Sequence, residues 1–423
     1  MRSYVNLLRA NPQYARLWLA QAISLLGDWF NTIVLSALVT RYSANSGLAI
    51  SLLLLARFLP PLIFSPVAGV LLDRYDRRKI LILSDLLRAA IVLGFLLVDS
   101  PGELWLIYAL TVLQFSIGAV FEPGRAALMP SLVQRDDLVR ANILGSITWS
   151  AMLAIGGATG GLVAALLGTE FALIFDSGTF LLSAALIMAI RPPAQPVPPP
   201  AERSAGAGSG LRDYLDGLRY AIRNPATGLA LLIKAGGNFG NIDTILVVFA
   251  TYLFVVGQDG TGSLGVLWSA FGVGAVIGPL IVDRFNDRTI ARMRRLVLVG
   301  YAMMTIAWVA LGAAPTLLIA AAAVLLKAMG GSVYWTYSSV IIQRSVDDAY
   351  LGRLFSLDMA LFQLATALSI VITGAALEAL GNEAIRVVTL GTAVVSLIPL
   401  LIWGLAVRWI EGRERAAPVP AGD

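Results

Sequence analysis

Residues 47–79 read GLAISLLLLARFLPPLIFSPVAGVLLDRYDRRK. From Gly47 to Leu72 the stretch carries one charged side chain, Arg57; from Asp73 to Lys79 six of seven residues are charged. A helix needs about 20 mostly apolar residues to cross a bilayer. A basic cluster directly after such a run marks the end that stays on the cytoplasmic side. The stretch is therefore expected to be a transmembrane helix followed by a cytoplasmic loop.

The same pattern runs through the chain. The 423 residues are 58% hydrophobic and 13% charged, where an ordinary soluble domain is about 25% charged. Mean hydropathy is +0.79. Twelve apolar runs are long enough to span: 17–40, 47–72, 80–98, 103–122, 143–167, 171–190, 227–255, 263–282, 295–312, 315–338, 354–378 and 385–408. The first run is too long for a signal-peptide core and is kept as span 1. With both termini cytoplasmic, 25 of the 31 basic residues fall in the tails and the even-to-odd loops. Arg41 and Arg386 fall on the other side, and Arg57, Arg88, Lys234 and Lys327 lie within spans. That asymmetry orients the chain and explains the net charge of +5 without a nucleic-acid partner. The expected fold is an all-α membrane protein whose twelve helices form two pseudo-symmetric six-helix bundles.

Composition also removes chemistry. There is no cysteine and no histidine, which excludes thiol nucleophiles, thiolate-ligated metals and an imidazole base. No metal or cofactor is expected. The only lysines, Lys79, Lys234 and Lys327, follow Arg78, Ile233 and Leu326, so no Gly-Lys phosphate loop is encoded. No HExxH or GxSxG motif is present, which argues against an enzyme, and no loop exceeds about forty residues, which argues against a receptor with a soluble domain.

Residues 191–210, RPPAQPVPPPAERSAGAGSG, form a proline-rich and then Gly/Ala-rich linker. It separates a first bundle, 1–190, from 211–423, which opens with an amphipathic surface helix. The halves repeat at an offset of about 210–213. Asn11-Pro12 pairs with Asn224-Pro225, Asn31-Thr32-Ile33 with Asp243-Thr244-Ile245, Asp73-Arg74-Tyr75 with Asp283-Arg284-Phe285, and Gly118–Phe121 with Gly331–Tyr334. A parallel 6+6 duplication is a transporter architecture, with substrate handled between halves near the midplane.

The loop Gly69-Val70-Leu71-Leu72-Asp73-Arg74-Tyr75-Asp76-Arg77-Arg78-Lys79 resembles motif A of the major facilitator superfamily, with Asp76 replacing a glycine. The resemblance covers essentially the whole chain. It implies a cytoplasmic gate latch built from Gly69, Asp73, Arg74, Arg77 and Arg78, with arginines pairing to acids such as Glu122. NPQYARLWLAQAISLLGDWFN, SDLLRA, FEPGRAALMPSLV, GLRYAIRNP and LGRLFSL are similar to the macrolide-efflux and enterobactin-exporter group of drug:proton antiporters. Gly156, Gly157, Gly160 and Gly161 resemble that group's glycine motif, with Gly157 in place of proline.

An ionisable residue inside a span costs about 2.5–3.5 kcal/mol on insertion scales. Four sit near mid-span: Asp28, Arg57, Asp243 and Lys327. The resemblance places spans 1, 4, 7 and 10 around the cavity, so Asp28 or Asp243 is expected to carry a coupling proton, with Arg57 and Lys327 holding or releasing a carboxylate. Asp85 and Arg88 are read as a local pair, Asp358 as an end-of-helix charge, Asp176 as satisfied by water or a hydroxyl, and Lys234 as snorkelling to the cytoplasm. Trp29, Phe30, Trp149, Phe239, Tyr334 and Trp335 are candidate substrate contacts. The expected function is proton-coupled export of hydrophobic or amphiphilic small molecules by a monomer in the inner membrane. The alternative is a dedicated siderophore or lipid exporter of the same superfamily.

Overall fold

A computed structural model describes residues 2–44, 46–134, 137–191, 210–240, 242–346 and 348–416. Most of the expected linker therefore lies outside the described residues. Twelve helices are long and apolar enough to cross a membrane: Pro12–Tyr42, Gly47–Ser65, Arg77–Leu97, Pro101–Ser131, Arg140–Leu167, Thr169–Met188, Pro225–Leu253, Gln258–Phe285, Ile290–Gly312, Leu317–Ser345, Tyr350–Leu380 and Asn382–Glu414. They are spans 1 to 12 below. Each coincides with an expected run. Several extend a turn or more further, because helix persists through polar residues after the apolar stretch ends. The second helix, for example, continues from Gly47 to Arg74.

The ends are set by local chemistry. Ser46 caps span 2 by accepting from the Ala49 N–H at 3.1 Å, and Thr289 caps span 9 by accepting from the Arg292 N–H at 3.1 Å. Asp76 caps span 3, accepting from the N–H groups of Arg78 at 2.9 Å and Lys79 at 3.2 Å. The substituted glycine position thus has β-region backbone, φ −61 and ψ 113, and needs no left-handed turn.

The repeat is visible at the same level of detail. Spans 1 and 7 both begin with proline in the first turn, where its missing N–H has no helical partner to lose. The preceding asparagine does the same thing in each: Asn11 Nδ2 donates to Leu7 O at 3.0 Å, and Asn224 Nδ2 to Tyr220 O at 3.0 Å. Each bond closes a short polar helix that leads into its span, Arg2–Ala10 and Gly210–Arg223.

Packing divides the chain into two units. The first comprises Met1–Ser204, Ile242–Val273 and Ile370–Ile385; the second comprises Ala205–Asn241, Gly274–Ser369 and Arg386–Asp423. Spans 7, 8 and 11 therefore each contribute residues to both units. Within the first unit, Arg41 Nε donates to Asp259 at 2.8 Å and Ser46 Oγ to Glu378 at 2.7 Å, joining spans 1, 2, 8 and 11 at one end. In the second, span 12 exposes Val394, Ile398, Leu401 and Leu405, each more than half accessible. That apolar stripe at helical spacing is what a lipid-facing helix presents.

Candidate functional site

Arg57, the lone charge in the apolar part of span 2, is held inside the first unit. Its Nη1 donates to Thr32 Oγ1, and its guanidinium carbon lies 5.1 Å from the Phe115 ring centre and 5.6 Å from that of Trp29. Three carboxylates are within electrostatic reach: Asp28, Asp243 and Asp176. Thr32, Asn31, Ser36, Thr111 and Phe115 line a small cavity beside it. Asp28 sits one turn before Thr32, whose hydroxyl donates to the Asp28 carbonyl at 2.6 Å. Span 1 thus sets a carboxylate and a hydroxyl on the face toward Arg57.

Asp176 is the member of this group that sequence reasoning passed over. It is fully buried, and the span 1 position facing it is Gly27, where a Cβ would collide with Asp176 Oδ1 and Thr179 Oγ1. Thr179 spends its hydroxyl on the Asp176 carbonyl at 2.7 Å and lies 3.5 Å from Oδ1. Asp176 Oδ2 and both amide atoms of Asn31 are buried with no hydrogen-bond partner. A buried polar atom left so costs about 1–3 kcal/mol. The signal was present as an acid within an apolar run, but neighbouring Ser177 and Thr179 suggested it was already satisfied. Asp85 and Arg88 form the expected i,i+3 pair, fully inside, with Ser183 Oγ donating to Asp85 Oδ2 at 2.6 Å and the guanidinium over Phe180 at 4.3 Å.

Span 7 is not one continuous helix. It runs Pro225–Gly237, breaks, and restarts at Ile242–Val248. Gly240 takes φ +93, a region that side chains disfavour. Backbone freed inside a membrane must find partners, and here Gly240 N–H donates to Ser369 Oγ at 2.8 Å while Asn238 bonds Thr366. Asp243 lies in the first turn after the break, where the positive end of the helix dipole favours a carboxylate.

Two readings of charges in the second unit are corrected. Lys234 does not snorkel and Asp358 is not an end-of-helix charge. Lys234 Nζ donates to Asp358 Oδ2 at 2.5 Å, with the side chains 1% and 0% exposed. Each lies too deep in its helix to reach water, so they neutralise one another. Trp335 covers the ammonium at 4.5 Å. Lys327 also belongs to this unit, with Nζ 5.7 Å from the Trp308 ring centre, and so is not in the group around Arg57.

The basic loop differs from expectation in its partners. Arg77 Nη1 donates to Ala127 O at 2.8 Å, and Arg78 donates to Ile187 O at 3.0 Å and to Met188 O. These are carbonyls at helix C-termini, which attract cations. Glu122 instead pairs with Arg125, one turn along the same helix, at 2.8 Å. Arg74 is exposed, and no atom lies within 4 Å of a Cβ built on Gly69, so the close helix approach expected there is absent. The Asp73 side chain lies outside the described residues. In span 5, Gly156 and Gly160 admit span 1 at Trp29 and Phe30, while Gly157 and Gly161 admit span 8 at Trp268 and Gly265. A Cβ on Gly161 would stand 2.6 Å from the Gly265 Cα. Trp29, Phe30 and Tyr334 are packed inside their units, whereas Trp149 is 48% exposed and Phe239 and Trp335 are each 37% exposed. Among the described residues no group of three acids is placed to hold a metal ion.

Comparison with known proteins agrees with this arrangement. The family MFS_3, described as Transmembrane secretion effector, matches residues 7–417. The MFS-type transporter YfiS of Bacillus subtilis (strain 168) is 30% identical over 49% of this chain and 48% of its own length. The proposed bacilysin exporter BacE of Bacillus subtilis is 26% identical over 94% of this chain and 93% of its own. Macrolide efflux protein A of Streptococcus pyogenes is 25% identical over 87% and 90%. Among solved structures, the nucleoside transporter NupG (D323A mutant) superposes with TM-score 0.72 at 12% identity, covering 93% of this chain and 99% of that one. A bacterial homologue of the lysosomal transporter Spinster, inward-facing and unoccupied, gives 0.71 at 15% identity, over 97% and 98%. The chain belongs to the transmembrane secretion effector family of major facilitator superfamily transporters.

Proposed function

We propose that this transporter exports hydrophobic or amphiphilic small molecules from the cytoplasm in exchange for protons. It would do so by alternating access, as a monomer in the inner membrane with both termini cytoplasmic. The efflux names carried by similar full-length chains support the direction. The positive-inside asymmetry supports the orientation. One observation carries the coupling: a single guanidinium, Arg57, is surrounded by Asp28, Asp176 and Asp243 in a region shielded from water. Three carboxylates around one base leave negative charge that a low-dielectric interior does not tolerate. Protons taken up by one or two carboxyls restore neutrality, and losing them changes the balance that Arg57 must meet.

The exposed Trp149, Phe239 and Trp335 are the aromatic surface offered to substrate, and Arg74, Arg77 and Arg78 the cytoplasmic latch. The driving force is adequate, since one charge moved through 100 mV yields about 2.3 kcal/mol. The test is uptake of a lipophilic fluorescent dye, Hoechst 33342, into inverted membrane vesicles. Uptake is expected to collapse with a protonophore and to lose proton coupling in Asp28→Asn, Asp176→Asn or Asp243→Asn. Uptake indifferent to the protonophore, or wild-type coupling in all three variants, overturns the reading.

A further inference from the structure

The second unit carries a cleft that the transport reading does not use. Its volume is about 340 Å³, at the lower end of the range for small-ligand sites. It lies where the surface helix Gly210–Arg223 turns into span 7, against the start of span 9 and the ends of spans 10 and 12. Three guanidinium groups line it, Arg223, Arg294 and Arg413, against one carboxylate, Glu414. The excess is two positive charges.

Each arginine is held differently. Arg294 is largely buried and fixed by Glu414 at 2.8 Å, while its carbonyl accepts from Trp403 Nε1 at 3.0 Å. Arg413 lies over the Trp409 ring, 4.5 Å from its centre. Arg223 and Arg413 make no ion pair with any described acid. Span 7 begins in the same cleft, and Asn224 gives its side chain to Tyr220 and leaves that helix start uncapped. The positive end of a helix dipole thus adds to the arginines. The remaining walls are apolar, from Ile341, Ile342 and Ile410.

We propose that this cleft binds the phosphate of an anionic glycerophospholipid. Arginine recognises phosphate through paired N–H donors. An indole beside a basic cluster at the end of apolar spans is the chemistry of the headgroup layer, and basic pockets between transmembrane helices accept anionic headgroups. Apolar walls next to the arginines suit a molecule with a charged head and a hydrocarbon body, rather than a free ion.

The test is native mass spectrometry of the purified full-length protein in mild detergent, with dioleoylphosphatidylglycerol and dioleoylphosphatidylcholine added in equal amounts. Phosphatidylglycerol is expected to be retained preferentially. Arg223→Gln/Arg413→Gln is expected to weaken its binding by about 30-fold, at roughly fivefold per arginine. Glu414→Gln removes the one acid at the cleft and is expected to strengthen binding by about fivefold, which keeps the test open should the double variant fail to fold. Equal retention of the two lipids, unchanged affinity in the double variant, or no gain from Glu414→Gln overturns the proposal. So does complete displacement of phosphatidylglycerol by millimolar inorganic phosphate, which would make the cleft a site for free anions.

Discussion

Replacing Asp358 by asparagine strands the Lys234 ammonium among the helices of the second unit. The pair is buried on both sides and closes at 2.5 Å. Removing one partner of such a pair costs about 3–5 kcal/mol, because the survivor is left charged and desolvated. The two single substitutions are not expected to be equal. In Asp358→Asn the ammonium keeps an amide oxygen and the face of Trp335 at 4.5 Å, so the cost falls near the lower figure. In Lys234→Met the carboxylate loses its donor while Oδ1 already has none, so the cost falls near the upper one. Replacing both, as Lys234→Met/Asp358→Leu, removes charge and partner together and is expected to be close to neutral. Urea unfolding of the purified protein, followed by the second unit's tryptophan fluorescence, measures all three. The coupling energy of the cycle should exceed about 3 kcal/mol. Additive effects, or singles within 1 kcal/mol of the parent, would refute the reasoning.

Gly161→Ala places a methyl 2.6 Å from the backbone of span 8 and is expected to cost about 1–3 kcal/mol by overpacking. Gly178→Ala, with nothing within 4 Å, is expected to be neutral or to gain up to about 1 kcal/mol; thermal melting separates the two. Asn11→Ala and Asn224→Ala each lose one equivalent bond and are expected to cost about 0.5–1.5 kcal/mol, the similarity itself being the test of the repeat. Arg41→Gln removes a partly exposed pair worth about 0.2–1 kcal/mol in stability. It should nevertheless raise maleimide labelling of Thr244→Cys, a buried position in the same unit. The chain has no cysteine of its own, so the readout is clean, and unchanged labelling removes any gating role for Arg41 and Asp259.

All twelve spans were legible because hydropathy is a local property and lipid demands it over about 20 residues. The repeat was legible because both halves reuse the same short devices, the Asn-Pro entry being the clearest. What hydropathy does not contain is pairing. Lys234 and Asp358 are 124 residues apart, so each was read alone and given the reading that suits a lone charge. Asp176 was missed for the complementary reason. Its neighbours made it look satisfied, and only the packing of span 1 at Gly27 shows one of its oxygens buried without a partner. The break in span 7 was written as GGNFGN and weakened the expected span, but apolar runs on both sides carried the reading through as one helix.

Charge balance narrows the mechanism further. Between its ends, the first unit holds Asp28, Asp85, Asp176 and Asp243 against Arg57 and Arg88. Asp85 and Arg88 satisfy each other, which leaves three acids for Arg57. Two species can supply the missing positive charge: protons, or a cationic substrate. The two are separable. If a substrate cation balances the carboxylates, it competes with protons, so a cationic dye binds more tightly as pH rises and releases protons on binding. A neutral dye of the same size would then show neither effect. If protons alone balance them and substrate binds elsewhere, both dyes bind with the same pH dependence. Direct competition predicts that Asp176→Asn and Asp28→Asn each weaken the cation and spare the neutral molecule. Equal losses for both dyes would mean that these carboxylates hold the bundle together rather than meet the cargo.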